Sequence, residues 1–198
     1  MNFKSRVRAA LPEDDASVRH LVEAAFGPDE GPTVARLVGA LDDAGSTRAS
    51  LVAELADRPD GGVVGHVQLN RSWVDARRAL VDVLVLSPLS VHPDHQGQGI
   101  GRELLDAAVA EAERLGAPAV FLEGDPGYYA ARGWSAAGPL GFTKPSPRIP
   151  DPAFQVVLLP AHEEWMTGPL VYCEPFWALD CVGLRDPLLA GLEGEPTA

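Results

Sequence analysis

The stretch VHPDHQGQGIGR, residues 91–102, joins an apolar run to the most regular amphipathic pattern of the sequence. Residues 79–91 ahead of it are almost entirely apolar, which is typical of a buried strand. Behind it, apolar residues recur at helical spacing from Ile100 to Leu115, and Gly116 stands where such a helix ends. The pattern therefore predicts a strand, a glycine-rich polar loop and a helix.

Three glycines in this loop, Gly97, Gly99 and Gly101, allow the main chain to approach a ligand closely. Free amides at a helix N-terminus attract negative charge, so the loop is suited to a pyrophosphate. A tight structural turn is the other reading of the same glycines. Gly101 is followed by Arg102 rather than Lys-Ser/Thr, which excludes a Walker loop, and the glycine spacing does not match a Rossmann fingerprint.

Strands are expected on both sides of this segment. Residues 119–122 form a short apolar strand, and a strand, helix and strand in succession predict a parallel, right-handed crossover. Thirteen apolar residues are long for a single strand, so Pro88 is expected to introduce a bulge that leaves the backbone of Leu89–Val91 free for a ligand. A further strand is predicted at 154–159 and a short helix at 128–132.

The N-terminal part predicts a strand at 5–9 and two amphipathic helices, separated at Gly27-Pro28 and ending near Gly45. Residues 49–56 and 62–73 predict two strands. In the second, apolar and polar residues alternate, which favours a half-exposed antiparallel strand with His66 on its solvent face. The fold class is therefore α/β or α+β with a mixed sheet.

Composition limits the possible partners. The 198 residues favour one domain, and the net charge of −12 argues against nucleic acid as the main partner. Cys173 and Cys181 lack metal-ligand spacing and are expected to be reduced thiols. No apolar run is long enough to span a membrane and no signal sequence is visible, so we expect a cytoplasmic protein.

His92, Asp94 and His95 could suggest a metal site or a catalytic base. Three such residues crowded into four loop positions, without a visible further partner, are more typical of a polar surface turn. We therefore predict no metal site.

The loop resembles the acetyl-CoA loop of the GNAT superfamily of N-acetyltransferases, whose pattern Q/R-x-x-G-x-G/A is filled by Gln96, Gly99 and Gly101. Residues 89–93, LSVHP, are similar to the end of that family's fourth strand, where a bulge splays two parallel strands, and Pro88 is consistent with that bulge. Residues 122–134, LEGDPGYYAARGW, are similar to its fifth strand, fourth helix and closing Gly-aromatic pair. The two motifs stand in family order, and the resemblance spans Val7 to Leu159.

The resemblance implies a mostly antiparallel sheet with a central, splayed parallel strand pair, flanked by helices. It implies one GNAT-like domain over 1–198, with its core at about 5–160 and a C-terminal extension at 161–198. It also implies acetyl-CoA as acyl donor. The residues expected to bind it are Leu89, Ser90, Val91, Gln96, Gly97, Gln98, Gly99, Ile100, Gly101 and Arg102.

By the same resemblance, Tyr129 is the general acid that protonates the departing CoA thiolate. Glu123, at the end of the fifth strand, is a candidate base for the amine, and a solvated strand end is its other reading. The expected activity is direct acetyl transfer to a primary amine of a small molecule or peptide in a ternary complex. A catalytically weak acyl-CoA-binding sensor or interaction module is the alternative, and an unrelated nucleotide-binding protein a third reading.

Trp165 to Trp177 contains several aromatic residues, which could form a homodimer surface. The residues after 160 suggest no other role.

Overall fold

The computed structural model describes residues 5–55 and 62–183. These residues fall into two compact units. The first contains the described residues up to Asn70 together with Leu86–Glu111, and the second contains Arg71–Val85 together with the described residues from Ala112 onward. The sequence of the C-terminal residues 186–198 is typical of a fraying tail, and these residues lie outside the described ones.

The first unit holds β1 (Ser5–Ala9), α1 (Asp15–Asp43) and β2 (Thr47–Leu55). Strand β3 (Val63–Asp75) begins in it, β4 (Leu80–Val91) ends in it, and α2 (Ile100–Arg114) starts in it. β1 pairs antiparallel with β2, and β2 antiparallel with β3, so that Val52 lies opposite His66.

Helix α1 is broken at Gly27, whose φ of 75° and ψ of −178° are not helical. Only glycine adopts this conformation readily, and Pro28 then suits the first turn of the following segment. The predicted pair of helices is thereby confirmed as segments 15–26 and 28–43. Both halves contribute to an apolar cluster over β2 that contains Val18, Val22, Val34, Ala35, Val38 and Val52.

The second unit continues with β5 (Ala119–Glu123), α3 (Pro126–Tyr129), β6 (Ser135–Ala136) and β7 (Phe142–Thr143). It ends with β8 (Phe154–Leu158), β9 (Gly168–Val171) and α4 (Glu174–Ala178). β4 and β5 are parallel, with Leu84 opposite Val120, whereas β5–β8 and β6–β8 are antiparallel. The predicted fold class, a mixed and mostly antiparallel sheet with helices, is confirmed.

The core of the second unit is aromatic. The ring of Phe121 on β5 meets that of Phe142 edge-on at 4.9 Å and stacks on that of Phe154 at 5.8 Å.

No helix among the described residues combines the length and the apolar character needed to cross a bilayer. β4 extends through Pro88, whose peptide bond with Ser87 is cis. The bulge expected there stays a prediction.

The prediction that His66 faces solvent is wrong, because its side chain is completely buried. The cluster under α1 covers the face of β3 that carries His66. The opposite face lies under α2, where a Cβ on Gly65 would be only 2.7 Å from Leu104 Cδ1. The alternation of apolar and polar residues in β3 therefore distinguishes two faces of the strand that are both buried. One of these faces carries His66, Gln68 and Asn70.

Burial of His66 should make stability depend on pH. Burial lowers the pKa of His66 to about 4, whereas in the unfolded chain it takes up a proton below about pH 6.5. Stability contributed by the neutral imidazole is therefore lost as pH falls from about 6.5 to about 4. Between pH 7 and 4, the free energy of unfolding should fall about 3 kcal/mol further in the wild type than in His66→Gln.

Urea unfolding at both pH values measures this difference. His20→Gln is the matched control, because His20 is exposed on α1, and it should follow the wild type. Parallel pH dependences for wild type and His66→Gln would refute the prediction.

Candidate active site

The loop after β4 leaves its main-chain amides available. Within the described part of the chain, the amides of residues 97–101 make no hydrogen bond, and residues 97–99 are exposed. Gly97 and Gly99 adopt φ of +72° and +92°, which turn the backbone into the first turn of α2. Helix α2 is 15 residues long, so its dipole adds positive character at this point.

Side chains hold the ends of this loop in place. Gln96 Nε2 donates to the carbonyl of Val91 at 3.1 Å, and Gln98 Nε2 donates to the carbonyl of Asp94 at 3.3 Å. The amide of His92 donates to the carbonyl of Val64 at 2.9 Å, so the end of β4 lies alongside the start of β3. Gln96 thus closes the turn, which leaves the glycine amides as the groups that can receive an anion.

The other predicted cofactor residues also belong to the first unit. Leu89 and Val91 are half-buried, whereas Ser90 is buried and its Oγ has no hydrogen-bond partner among the described residues. Arg102 is exposed and lies 3.6 Å from Asp106 through Nε and Oδ2. A row of backbone groups at the end of β4 and the exposed guanidinium of Arg102 at the start of α2 can serve one extended ligand.

His92 and His95 lie in the turn that precedes the glycines. Nδ1 of His92 accepts from the amide of Asp94 at 3.3 Å, and the two imidazole rings are 5.8 Å apart. In the described ranges, no group of three or more metal-ligating side chains occurs. This arrangement is a polar turn that shapes the loop.

Tyr129 ends α3 in the second unit, where Asp125 caps the helix by accepting from the amide of Gly127 at 2.8 Å. The Tyr129 ring contacts those of Tyr128, at 4.9 Å, and Trp134, at 6.0 Å. Burial, assisted by Tyr128, raises the pKa of Tyr129 above its ordinary value. The raised pKa favours the protonated phenol, and its hydroxyl makes no hydrogen bond inside 5–55 or 62–183, so it is available to donate.

Glu123 is not a solvated strand end. Its Oε1 accepts from the hydroxyl of Tyr172 at 2.8 Å, and its Oε2 accepts from the amide of Gly183 at 2.9 Å. Burial and the nearby carboxylate raise the pKa of Tyr172, which keeps this donor protonated. The carboxylate is therefore held in one orientation by the C-terminal segment.

Gly124 links the two predicted catalytic residues. It follows Glu123 directly, and any Cβ on it would clash with the ring of Tyr129. Its amide donates to the carbonyl of Ala153 at 3.0 Å, and its carbonyl accepts from Gln155 Nε2 at 3.0 Å. The structure thus brings Glu123 and Tyr129 together in the second unit, while the predicted cofactor residues gather in the first.

Sequence reasoning missed Tyr172 and Gly183 as partners of Glu123. Tyr172 is 49 residues away from Glu123 along the chain, and no local pattern relates the two. Tyr172 and Phe176, counted in the expected dimer surface, are buried instead. Of that aromatic group, Trp177 is 44% exposed.

Removal of the Tyr172 hydroxyl should destabilise the protein, because this hydroxyl holds the carboxylate of Glu123. Tyr172→Phe leaves Glu123 Oε1 without a buried donor, and we expect a loss of about 1–3 kcal/mol in the free energy of unfolding. Chemical denaturation measures it. Tyr128→Phe is the comparison, since no hydrogen bond of its hydroxyl occurs in the described residues; equal stability of both variants would contradict the role of the bond.

Comparison with known proteins places these features in a known context. A family model described as the acetyltransferase (GNAT) family matches residues 16–137. The sequence is 29% identical over 166 residues to YjhQ of Escherichia coli K12, described as an uncharacterized N-acetyltransferase; the match covers 82% of this chain and 88% of YjhQ.

Two solved structures are similar to this chain over most of its length. The Escherichia coli GNAT-family N-acetyltransferase YhbS, in complex with CoA, has a TM-score of 0.75 and 27% identity, covering 88% of this chain and 92% of YhbS. A GNAT-family acetyltransferase from Brucella melitensis, in complex with acetyl-CoA, has a TM-score of 0.70 and 29% identity, covering 88% and 99% of the two chains.

Proposed function

This chain belongs to the GNAT family of acetyltransferases, and we propose that it transfers an acetyl group from acetyl-CoA to a primary amine. Its similarity to N-acetyltransferases over most of its length favours an enzyme over a non-catalytic acyl-CoA-binding module. Membership of this family also argues against an unrelated nucleotide-binding protein.

One observation carries the proposal: the amides of residues 97–101 are unpaired within the described chain at the start of a long helix. Such a cluster of donors binds the pyrophosphate of acetyl-CoA. The backbone of Leu89–Val91 is the proposed partner of the pantetheine arm. The relatives in complex with CoA and acetyl-CoA support this assignment.

In the proposed reaction, the amine attacks directly in a ternary complex. An amine of pKa about 10.4 is neutral in fewer than about one molecule in a thousand at pH 7, so it must first lose a proton. Glu123 is the candidate base, since it ends β5 and its carboxylate is held in one orientation by Tyr172 and Gly183. The nitrogen lone pair then forms a bond to the thioester carbonyl carbon, and the backbone amide near Val91 polarises the carbonyl.

Collapse of the tetrahedral intermediate breaks the carbon–sulfur bond. The sulfur leaves with the electron pair, and the hydroxyl of Tyr129 supplies the proton that makes it a thiol. Burial favours this role because the raised pKa of Tyr129 keeps the phenol protonated at neutral pH. The nitrogen, which carries one excess proton after the attack, releases it to solvent and becomes the neutral amide. Tyr129 takes up a proton from solvent in turn, and no covalent enzyme intermediate forms.

The proposal extends to the domain organisation, the cellular location and the oligomeric state of the protein. The chain acts as one acetyltransferase domain over 1–198, with a C-terminal extension from 161 that holds Glu123 through Tyr172. We place it in the cytoplasm. A homodimer would use the exposed ring of Trp177; light scattering after size exclusion tests this, and a monomer would remove it.

The first experiment is calorimetric titration of the protein with acetyl-CoA, with ATP and NAD as controls. Saturable binding of acetyl-CoA alone is expected, followed by release of free thiol when a panel of primary amines is added. Binding without turnover on any amine would support the sensor alternative. Absence of acetyl-CoA binding to folded protein would overturn the proposal.

A further inference from the structure

A pocket of about 340 Å³ lies entirely in the first unit. It is lined by both segments of α1, the residue after β1, and one residue each of β2 and β3. None of the residues assigned above to acetyl-CoA or to catalysis lines it. Its lining consists of Ala10, Asp15, Val18, Arg19, Ala35, Arg36, Val38, Gly39, Asp42, Asp43, Ser50 and His66.

The inner end of the pocket carries a hydrogen-bonded pair. The Oγ of Ser50 lies 2.9 Å from Nε2 of His66, whose side chain is completely buried. Nδ1 of His66 has no hydrogen-bond partner among the described residues. A neutral imidazole has one donor and one acceptor nitrogen, so in either tautomer Nδ1 has a hydrogen-bonding capacity that no described residue uses.

The outer part of the pocket is acidic. Its lining includes two guanidinium groups, those of Arg19 and Arg36, and three carboxylates, those of Asp15, Asp42 and Asp43. Arg19 is partly neutralised by Glu23, with Nε and Oε1 3.2 Å apart. The balance of charge in the lining is therefore negative and favours a cation.

Asp42 is the best-held of these carboxylates. Its Oδ1 accepts from Thr47 Oγ1 at 2.5 Å and from Gln68 Nε2 at 2.9 Å. Asp15 and Asp43 are exposed and form no ion pair within the described residues. Two carboxylates are thus available beside one that is already fixed.

The walls between these polar ends are short and apolar. Val18, Ala35 and Val38 are each at most 9% exposed and belong to the cluster under α1. A pocket of this volume lies at the small end of the range for small-molecule sites, which extends from about 300 to 1,000 Å³. It suits a short carbon chain with a polar group at each end.

We propose that this pocket binds a small amino alcohol or related primary ammonium compound. The ammonium group lies among the carboxylates of Asp15, Asp42 and Asp43, the carbon chain lies along Val18 and Val38, and the second polar group bonds Nδ1 of His66. The proposal stands on the first unit alone and does not require acetyl transfer.

Calorimetric titration of the full chain with linear amino alcohols of two to six carbons tests the site. Saturable binding of at least one compound is expected. The diol of the same chain length lacks the positive charge, and the alkylamine of the same chain length lacks the second polar group. Each should bind at least about tenfold more weakly than the amino alcohol. Equal binding of the diol would overturn the ammonium assignment, and no binding of any amino alcohol would overturn the site.

Asp43→Asn should weaken that binding at least about threefold, because it removes an exposed carboxylate of the pocket. Asp29→Asn is the matched control: Asp29 is exposed on α1 and does not line the pocket, so affinity should be unchanged. Equal affinities in both variants would contradict the placement of the ammonium group.

NMR of the histidine rings reports on the inner end without a substitution that could unfold the chain. The ring signals of His66 should shift on titration, while those of His20, on the exposed face of α1, should not. An unmoved His66 overturns its role. A parallel titration with acetyl-CoA keeps the two hypotheses apart, since loss of acetyl-CoA binding with retained amino-alcohol binding would sink the proposed function only.

Discussion

Replacement of Tyr129 by phenylalanine should lower kcat at least about tenfold and leave acetyl-CoA affinity nearly unchanged. The variant keeps the ring that packs against Tyr128 and Trp134 and removes only the hydroxyl. Without a proton donor the sulfur must leave as a thiolate, which slows cleavage of the carbon–sulfur bond. Steady-state kinetics with saturating amine, together with calorimetric titration of acetyl-CoA, separates the two effects.

Tyr128→Phe is the control for this prediction. Tyr128 is adjacent in sequence and its ring contacts the Arg132 guanidinium at 3.8 Å, a contact that phenylalanine retains. Its turnover should match the wild type. Equal turnover in Tyr129→Phe and wild type would remove Tyr129 from the mechanism, and weakened acetyl-CoA binding would instead give it a binding role.

The second large effect is expected at Gly99. Gly99→Ala should raise the Kd for acetyl-CoA at least about tenfold, because the φ of +92° at this position is disfavoured for an L residue by about 1–2 kcal/mol. Space is not the obstacle, since a Cβ there meets no atom within 4 Å. Relief of the strain turns the backbone and moves the amides of residues 97–101 away from the pyrophosphate.

Gly45→Ala is the matched control, because it also places an L residue at a positive φ but outside the glycine loop. Gly45 has φ of +63°, also with no atom within 4 Å of an added Cβ, and it lies in the turn after α1. The Gly45→Ala variant should lose about as much free energy of unfolding as Gly99→Ala, without a change in acetyl-CoA affinity. An unchanged Kd in folded Gly99→Ala would show that the loop does not bind the cofactor.

The glycine loop could be predicted because its signals are local. Gln96 closes the turn through its side chain, and Gly97 and Gly99 shape it through their own backbone, just before the helix that begins at Ile100. The break of α1 at Gly27 is local in the same sense, since a positive φ and a following proline interrupt the helix. The periodicity and the spacing of residues along the chain are sufficient to predict local features of this kind.

The surroundings of the catalytic candidates could not be predicted in this way. Glu123 has the same sequence context whether it is solvated or held by Tyr172, because that partner comes from a segment with no motif. The alternation in β3 likewise suggested a solvent face for His66, whereas two helices distant in sequence cover both faces of the strand.

By itself, the sequence determined the order of strand, glycine loop and helix, the family pattern that they carry, and the negative charge of the chain. These depend on residues close together in the chain, or on composition. The tertiary structure alone decided that His66 is buried beside Ser50, that three carboxylates line one pocket, and that Glu123 is held by Tyr172. Burial and hydrogen-bond partners arise from contacts between distant segments, and no local pattern encodes them.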